Sequence, residues 1–255
     1  MKIELISFRY NIKEKKRLDL MINLVNQSQA DLIMFCGSTL YYQKDLGVLK
    51  ERIDNKNSFV LFEVREVKDS KFIDLKNCLY SIENGVIHNL FTNQFFSTKD
   101  EIEGNGDLCE RFINELETRR CFKIKGKTCL VLQCGENNIL RNIQKEANRP
   151  VFRLQERIDL KERFDCLLNK THIILNPIHT PMGNQGKMER RREYFSANNR
   201  YYFSVSQNGT TKRNDSYYEI LMDSDRLQYA YHNGKAIEEY SSNNTKDFQI
   251  RVFDL

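Results

Sequence analysis

The chain has 255 residues, 40% hydrophobic and 11% aromatic with only 3 prolines, which gives it enough apolar material for a core and excludes a disordered or collagen-like chain. Its 40 basic and 35 acidic residues leave a net charge of +5 spread along the chain, too weak and too mixed to mark a nucleic-acid-binding protein. Seven cysteines without CxxC pairs, an N-terminus lacking an apolar secretion signal, and no run of the ~20 apolar residues that span a membrane together indicate a cytoplasmic protein without disulfide staples.

In chain order, Leu18, Met21, Ile22 and Val25 recur at helical spacing within 15–29, and this helix runs directly into the short apolar run DLIMFC at 31–36, a buried strand. SFVLFEVREV at 58–67 and NCLYSI at 77–82 read as strands, and Glu83-Asn84-Gly85 supplies hairpin-turn chemistry before a further strand through Phe91. Gly104-Asn105-Gly106-Asp107 is a turn, since it lacks the lysine of a phosphate-cradling loop and the glycine spacing of a dinucleotide fingerprint. Residues 109–119 form an amphipathic helix, 121–125 and 128–133 are strands about a turn at Gly126, and the chain turns helical after them.

HIILN at 172–176 predicts another buried strand, followed by a loop through Gly186, a helix over 187–198 and a strand over 201–206. The three consecutive arginines at 190–192 fan around that helix and are read as a solvated or ion-paired face. From Ser216 the pattern is a strand, a hairpin turned at 232–235, and a last strand over 248–253. Strands alternate with helices without a linker or repeat, so one layered α/β domain over 1–255 is expected.

Four segments in this order resemble the nitrilase (carbon–nitrogen hydrolase) superfamily. ADLIMFCGS resembles the family's strand ending in Phe-Pro-Glu, whose glutamate is the general base; the matching position here is Gly37. Asn84-Gly85 followed by NLFTNQFF resembles the hairpin ending in Tyr-Arg-Lys, with Asn93 where the lysine that stabilises the tetrahedral intermediate belongs. VLQCGEN at 131–137 resembles the nucleophile elbow, with Cys134 as the nucleophile, and THIILNPIHTPM with the following helix and RYYFSVSQNG resembles the substrate-facing region. Glu101, eight residues after Asn93, matches the spacing of an accessory glutamate. The resemblance implies an αββα sandwich of two packed β-sheets with outer helices, commonly dimerised through a helical layer, that uses no metal or organic cofactor. It also nominates Glu136, Asn137, Asn176 and His179 for the substrate pocket.

A cysteine thiol needs a neighbouring base or cation to be nucleophilic at neutral pH. Gly37 has no side chain, and Asn93 offers a hydrogen bond but no charge. Losing a positioned base removes about 10²–10⁴-fold in rate, and losing an intermediate-stabilising donor roughly 10²–10³-fold. The leading expectation is therefore a non-catalytic module serving in a homo-oligomer or a larger complex. The competing one is an active amide or nitrile hydrolase whose base has been rearranged, with Glu101 or Glu136 as replacement. His172 and His179 flank the 176–177 loop without acidic or cysteine partners at ligand spacing, so no metal site is expected.

Overall fold

The structure is a computed structural model that describes residues 1–66, 76–90, 93–181, 185–209, 211–213, 216–218 and 223–255. Two mixed sheets grow from the short apolar runs. The first has the order Ser241–Asn244, Phe248–Asp254, Lys2–Phe8, Leu32–Phe35, Phe59–Glu66, Lys76–Glu83, Val86–Asn89, with Leu40–Tyr42 also pairing with Phe59–Glu66. Lys2–Phe8, Leu32–Phe35 and Phe59–Glu66 run parallel to one another, and the outer pairings are antiparallel apart from that of Leu40–Tyr42.

The second sheet has the order Lys235–Ala236, Gln228–His232, Tyr201–Ser206, Ile173–Ile178, Lys127–Val131, Cys121–Ile124, and its three middle-to-inner strands Tyr201–Ser206, Ile173–Ile178 and Lys127–Val131 are parallel. Side-chain alternation assigns its two faces. Cys129, Val131, Ile173, Leu175, Phe203 and Val205 enter the core shared with the first sheet, while Leu130, Leu132, Ile174 and Tyr202 join Phe112, Leu116, Phe164 and Phe195 of the helices Gly106–Thr118, Ile158–Lys170 and Gln185–Ser196. On the far side, Leu18, Met21, Ile22 and Val25 of the helix Glu14–Gln27 cover the first sheet. This is the expected αββα sandwich, and the runs expected at 31–35, 128–133 and 172–175 supply the central strands Leu32–Phe35, Lys127–Val131 and Ile173–Ile178.

The two sheets are joined at the carboxyl ends of their parallel strands, where the Gly37 N–H donates to the Ile178 carbonyl at 3.0 Å. In open α/β sheets such ends are where loops converge on ligands. Both hairpin turns form as read: Asn84 and Gly85, and Asn233 and Gly234, all have positive φ. The turn at 104–107 becomes a helix start, with Asn105 Oδ1 accepting from the Leu108 N–H at 3.1 Å.

Two expectations are corrected, and two elements were not foreseen. The segment after Cys134 is a six-residue 3₁₀ turn, Cys134–Ile139, which gives way to a small hairpin of Leu140–Ile143 and Arg149–Phe152. The arginines of the helix Gln185–Ser196 are not a solvated face: Arg191 and Arg192 are buried, the first donating to Asn138 and Asn142, the second lying 3.4 Å from the Tyr229 ring centroid, while Arg190 pairs with Glu193. The helix Asp45–Arg52 and the edge strand Ser241–Asn244 carried too little apolar periodicity to be foreseen. The strand ends at Val67 and Phe91 and part of the 179–186 loop lie outside the described residues.

Candidate active site

Cys134 follows the buried strand Lys127–Val131 by three residues and opens the 3₁₀ turn, half-buried. His179 follows the strand Ile173–Ile178 directly, and its imidazole lies close enough to the Cys134 side chain for the sulfur to raise its proton affinity. His179 Nε2 lies 2.7 Å from Glu63 Oε2.

Glu63 is fully buried at the centre of the strand Phe59–Glu66. Its Oε2 also accepts from the Ser38 N–H at 2.9 Å and its Oε1 from Gln133 Nε2 at 2.9 Å. A carboxylate this deep is tolerated only when hydrogen-bonded or paired, and here it is both. Ser38 sits at φ +52°, a left-handed conformation that costs a non-glycine residue about 1 kcal/mol and places its N–H on Glu63. Gln133 also donates to the Asn77 carbonyl at 2.7 Å, which ties the strand beside Glu63 to the nucleophile turn.

Burial alone would pull the His179 imidazole down. The Glu63 carboxylate and the Cys134 sulfur pull it up and prevail, taking it from 6.5 to about 11. His179 is therefore an imidazolium at neutral pH, the kind of neighbour that favours a cysteine nucleophile.

Gly37 faces this histidine. A Cβ there would lie 2.5 Å from His179 Cδ2, 2.8 Å from the Ile178 carbonyl carbon and 2.9 Å from the His179 nitrogen, so the space a side chain would take at position 37 is filled by the imidazole. Gly135 is constrained in the same way, since a Cβ would collide with the backbone of Ser97.

The other nominated residues serve different ends. Glu136 is fully buried: Oε2 accepts from Arg120 Nη1 at 2.5 Å and from the Gln133 N–H at 2.7 Å, and Oε1 from the Phe95 N–H at 2.8 Å. With both oxygens engaged it can neither replace the base nor meet a substrate. Burial pushes its carboxyl up, against the pull of Arg120 and the two N–H donors.

Asn137 and Asn176 are likewise fully buried and bond each other at 2.8 Å, Asn176 Oδ1 also accepting from the Tyr202 hydroxyl at 2.8 Å. They brace the turn from behind. Glu101 is exposed and accepts from the Ser97 N–H at 2.8 Å and the Thr98 hydroxyl at 3.2 Å, which makes it a cap for the short helix Lys99–Ile102. Asn93 is half-buried, with its carbonyl accepting from Arg120 Nη2 at 2.6 Å and its Oδ1 from the Cys78 thiol at 3.4 Å. Burial, helped by Glu63, pushes Cys78 up to about 11, so it keeps the proton it donates.

Sequence reading missed Glu63. Its signal was a single carboxylate inside FVLFEV, a run whose neighbours are all buried, because an acidic residue there must have a partner. Among the described residues no cluster of three or more His, Cys, Asp or Glu side chains is arranged to hold a metal ion.

No protein-family profile matches the sequence, and no curated protein sequence matches it. Solved structures do. A variant of the amidase from Nesterenkonia sp. AN1, carrying the acetamide moiety of fluoroacetamide covalently added at the active-site cysteine, is similar over 100% of this chain and 90% of its own at 9% identity and TM-score 0.60. The Xanthomonas campestris protein XC1258, a CN-hydrolase superfamily protein with an arsenic adduct in its active site, is similar over 100% of this chain and 90% of its own, at 11% identity and TM-score 0.56. Against the glutamine-dependent NAD+ synthetase from Acinetobacter baumannii the chain is covered in full at 14% identity and TM-score 0.55, yet it spans only 46% of that protein. At these identities the likeness is one of architecture, and by that architecture the chain has the fold of the nitrilase, or carbon–nitrogen hydrolase, superfamily.

Proposed function

We propose that the chain is a cysteine-dependent amide hydrolase in which Cys134, His179 and Glu63 form the reacting group, His179 standing in for the base absent at Gly37. One observation carries this reading: His179 pairs with a buried carboxylate, its Nε2 lying 2.7 Å from Glu63 Oε2, and has the Cys134 sulfur near enough to raise its proton affinity. The chemistry needs a nucleophile, a base within hydrogen-bond reach, and a third group that orients the base. The exchange at 37 is then no simple loss, because the glycine makes room for the imidazole that replaces it.

The cysteine sulfur attacks the amide carbonyl carbon, and the C–N bond breaks as His179 gives its proton to the leaving amine. This leaves a thioester on Cys134. His179, now neutral, takes a proton from water as that water attacks the thioester carbon. The C–S bond breaks, the acid departs, and the cysteine–imidazolium pair is restored. Asn93 supports the step as a neutral donor: with its Oδ1 taken by Cys78, its amide nitrogen is left to face developing charge. Amides are chosen as the substrate class because the similar Nesterenkonia protein is an amidase.

The test is competitive labelling by iodoacetamide at neutral pH, followed by ammonia release from a panel of simple amides. Cys134 is expected to react ahead of the exposed Cys166, with His179→Ala lowering its labelling rate about 10²–10⁴-fold and Cys134→Ala abolishing ammonia release. Labelling of Cys134 no faster than Cys166 and insensitive to His179→Ala would leave the non-catalytic module as the better account.

A further inference from the structure

The helix Glu14–Gln27 carries an arginine on its apolar stripe. Arg17 precedes Met21 and Val25 at four-residue spacing and is fully buried. A guanidinium keeps its charge in any protein interior, and burying it without an anion is costly. No carboxylate among the described residues pairs with Arg17. Its Nη1 donates to the Ser38 carbonyl at 3.3 Å, its Nη2 to the carbonyls of Arg9 at 2.9 Å and Tyr10 at 3.0 Å, and its Nε has no hydrogen-bond partner among the described residues.

What these bonds hold is the turn that serves the active site. Ser38 is the left-handed residue whose N–H meets Glu63, and its carbonyl is the one Arg17 grips. Gln207 Nε2 holds the same turn from the opposite side, donating to the Gly37 and Ser38 carbonyls at 2.7 and 3.1 Å. The path from Arg17 to His179 thus runs through the Ser38 peptide and the Glu63 carboxylate.

The other titratable groups facing Arg17 are Tyr41, whose ring centroid lies 4.8 Å from the guanidinium and 5.8 Å from that of Arg65, and Cys36 at the end of the strand Leu32–Phe35, with Tyr10 beside Tyr41. Burial pushes both Tyr41 and Cys36 up, outweighing the pull of Arg17 itself, so both stay neutral at physiological pH.

We propose that Arg17 is a positioning residue of the candidate active site: by holding the Ser38 turn it keeps the Glu63 carboxylate aimed at His179. This rests on the Cys134–His179–Glu63 reading, but it is tested on the histidine and not on turnover. The experiment follows the imidazole nitrogen resonances of ¹⁵N-histidine-labelled protein across pH, with His179 assigned by His179→Gln. In the wild-type chain the His179 midpoint is expected far above 6.5, at about 11.

Arg17→Met is expected to lower that midpoint by at least about one unit, a tenfold loss of proton affinity, and Arg17→Lys, which restores the charge without the fork, by less. If Arg17→Met does not fold, Gln207→Met frees the same carbonyls and must lower the midpoint in its place. An unchanged midpoint in the folded variant overturns the proposal. An inert Cys134 alongside an Arg17-dependent midpoint would sink the catalytic reading and leave the positioning role standing.

Discussion

Two carboxylates lie fully buried beside the same nucleophile turn, and they are held in opposite ways. Glu136 is fixed by Arg120 and by backbone N–H groups, none of which can change its charge. Glu63 is held by a backbone N–H, by the Gln133 amide and by an imidazole that can take up or release a proton. The difference teaches how to read a buried acid: its partners, more than its depth, decide whether it supports structure or takes part in chemistry. A permanently charged partner makes an anchor, whereas a titratable one makes a relay.

Neutralising each acid in turn should separate these roles most widely. Glu136→Gln strands the Arg120 guanidinium in the core, because arginine cannot shed its charge, and breaking a buried pair in that way costs about 3–5 kcal/mol. Glu63→Gln leaves no such stranded charge, since His179 can become neutral. Its stability cost should be nearer the roughly 1–3 kcal/mol of disturbed buried hydrogen bonds, yet it should slow Cys134 labelling by about 10²-fold or more as the imidazolium is lost. Urea unfolding and labelling kinetics on the two variants check this. The contrast collapses if Glu136→Gln proves the milder in unfolding or Glu63→Gln labels as fast as the wild type.

The same contrast explains what the sequence disclosed and what it withheld. The layers were legible because runs such as LIMF and IILNPI need burial on both faces, and the hairpins because Asn-Gly pairs supply positive φ. Cys134 was legible because a buried strand delivers it to a turn, and Gly37 because it follows another such strand. Linear spacing hid the rest. Glu63 and Cys134 are 71 positions apart, His179 a further 45, and only the parallel pairing of strands in two different sheets brings their carboxyl ends together. Glu136 looked available for chemistry because Arg120, sixteen residues earlier, is joined to it by a turn of the chain that no local pattern predicts.

Alkaline pH should sharpen the comparison next. The folded pKa of His179, about 11, stands above its ordinary 6.5, so its contribution to stability is fully present below 6.5 and is lost as pH rises through about 11. Glu136 and Arg120 offer no comparable loss in that window. The stability advantage of the wild-type chain over His179→Gln should therefore shrink steadily between pH 7 and 11, which unfolding midpoints measured in parallel on both proteins would show. A constant difference would mean that His179 is not held as a cation by Glu63.

The smallest effect is expected at Glu101, the third carboxylate near this turn and the one that spacing alone had nominated. Its oxygens accept from Ser97 and Thr98 at the exposed start of Lys99–Ile102, where a capping side chain contributes typically about 1 kcal/mol or less. Ser97 in turn packs against Gly135, so Glu101 touches the nucleophile turn only through a loop of backbone. Glu101→Gln keeps an acceptor oxygen and the side-chain length. It should unfold within about 1 kcal/mol of the wild type and leave the rate of Cys134 labelling unchanged within about twofold. A tenfold fall in labelling with the fold intact would show that Glu101 reaches the chemistry, and the division between anchoring and relaying acids would then have to be drawn again around three residues.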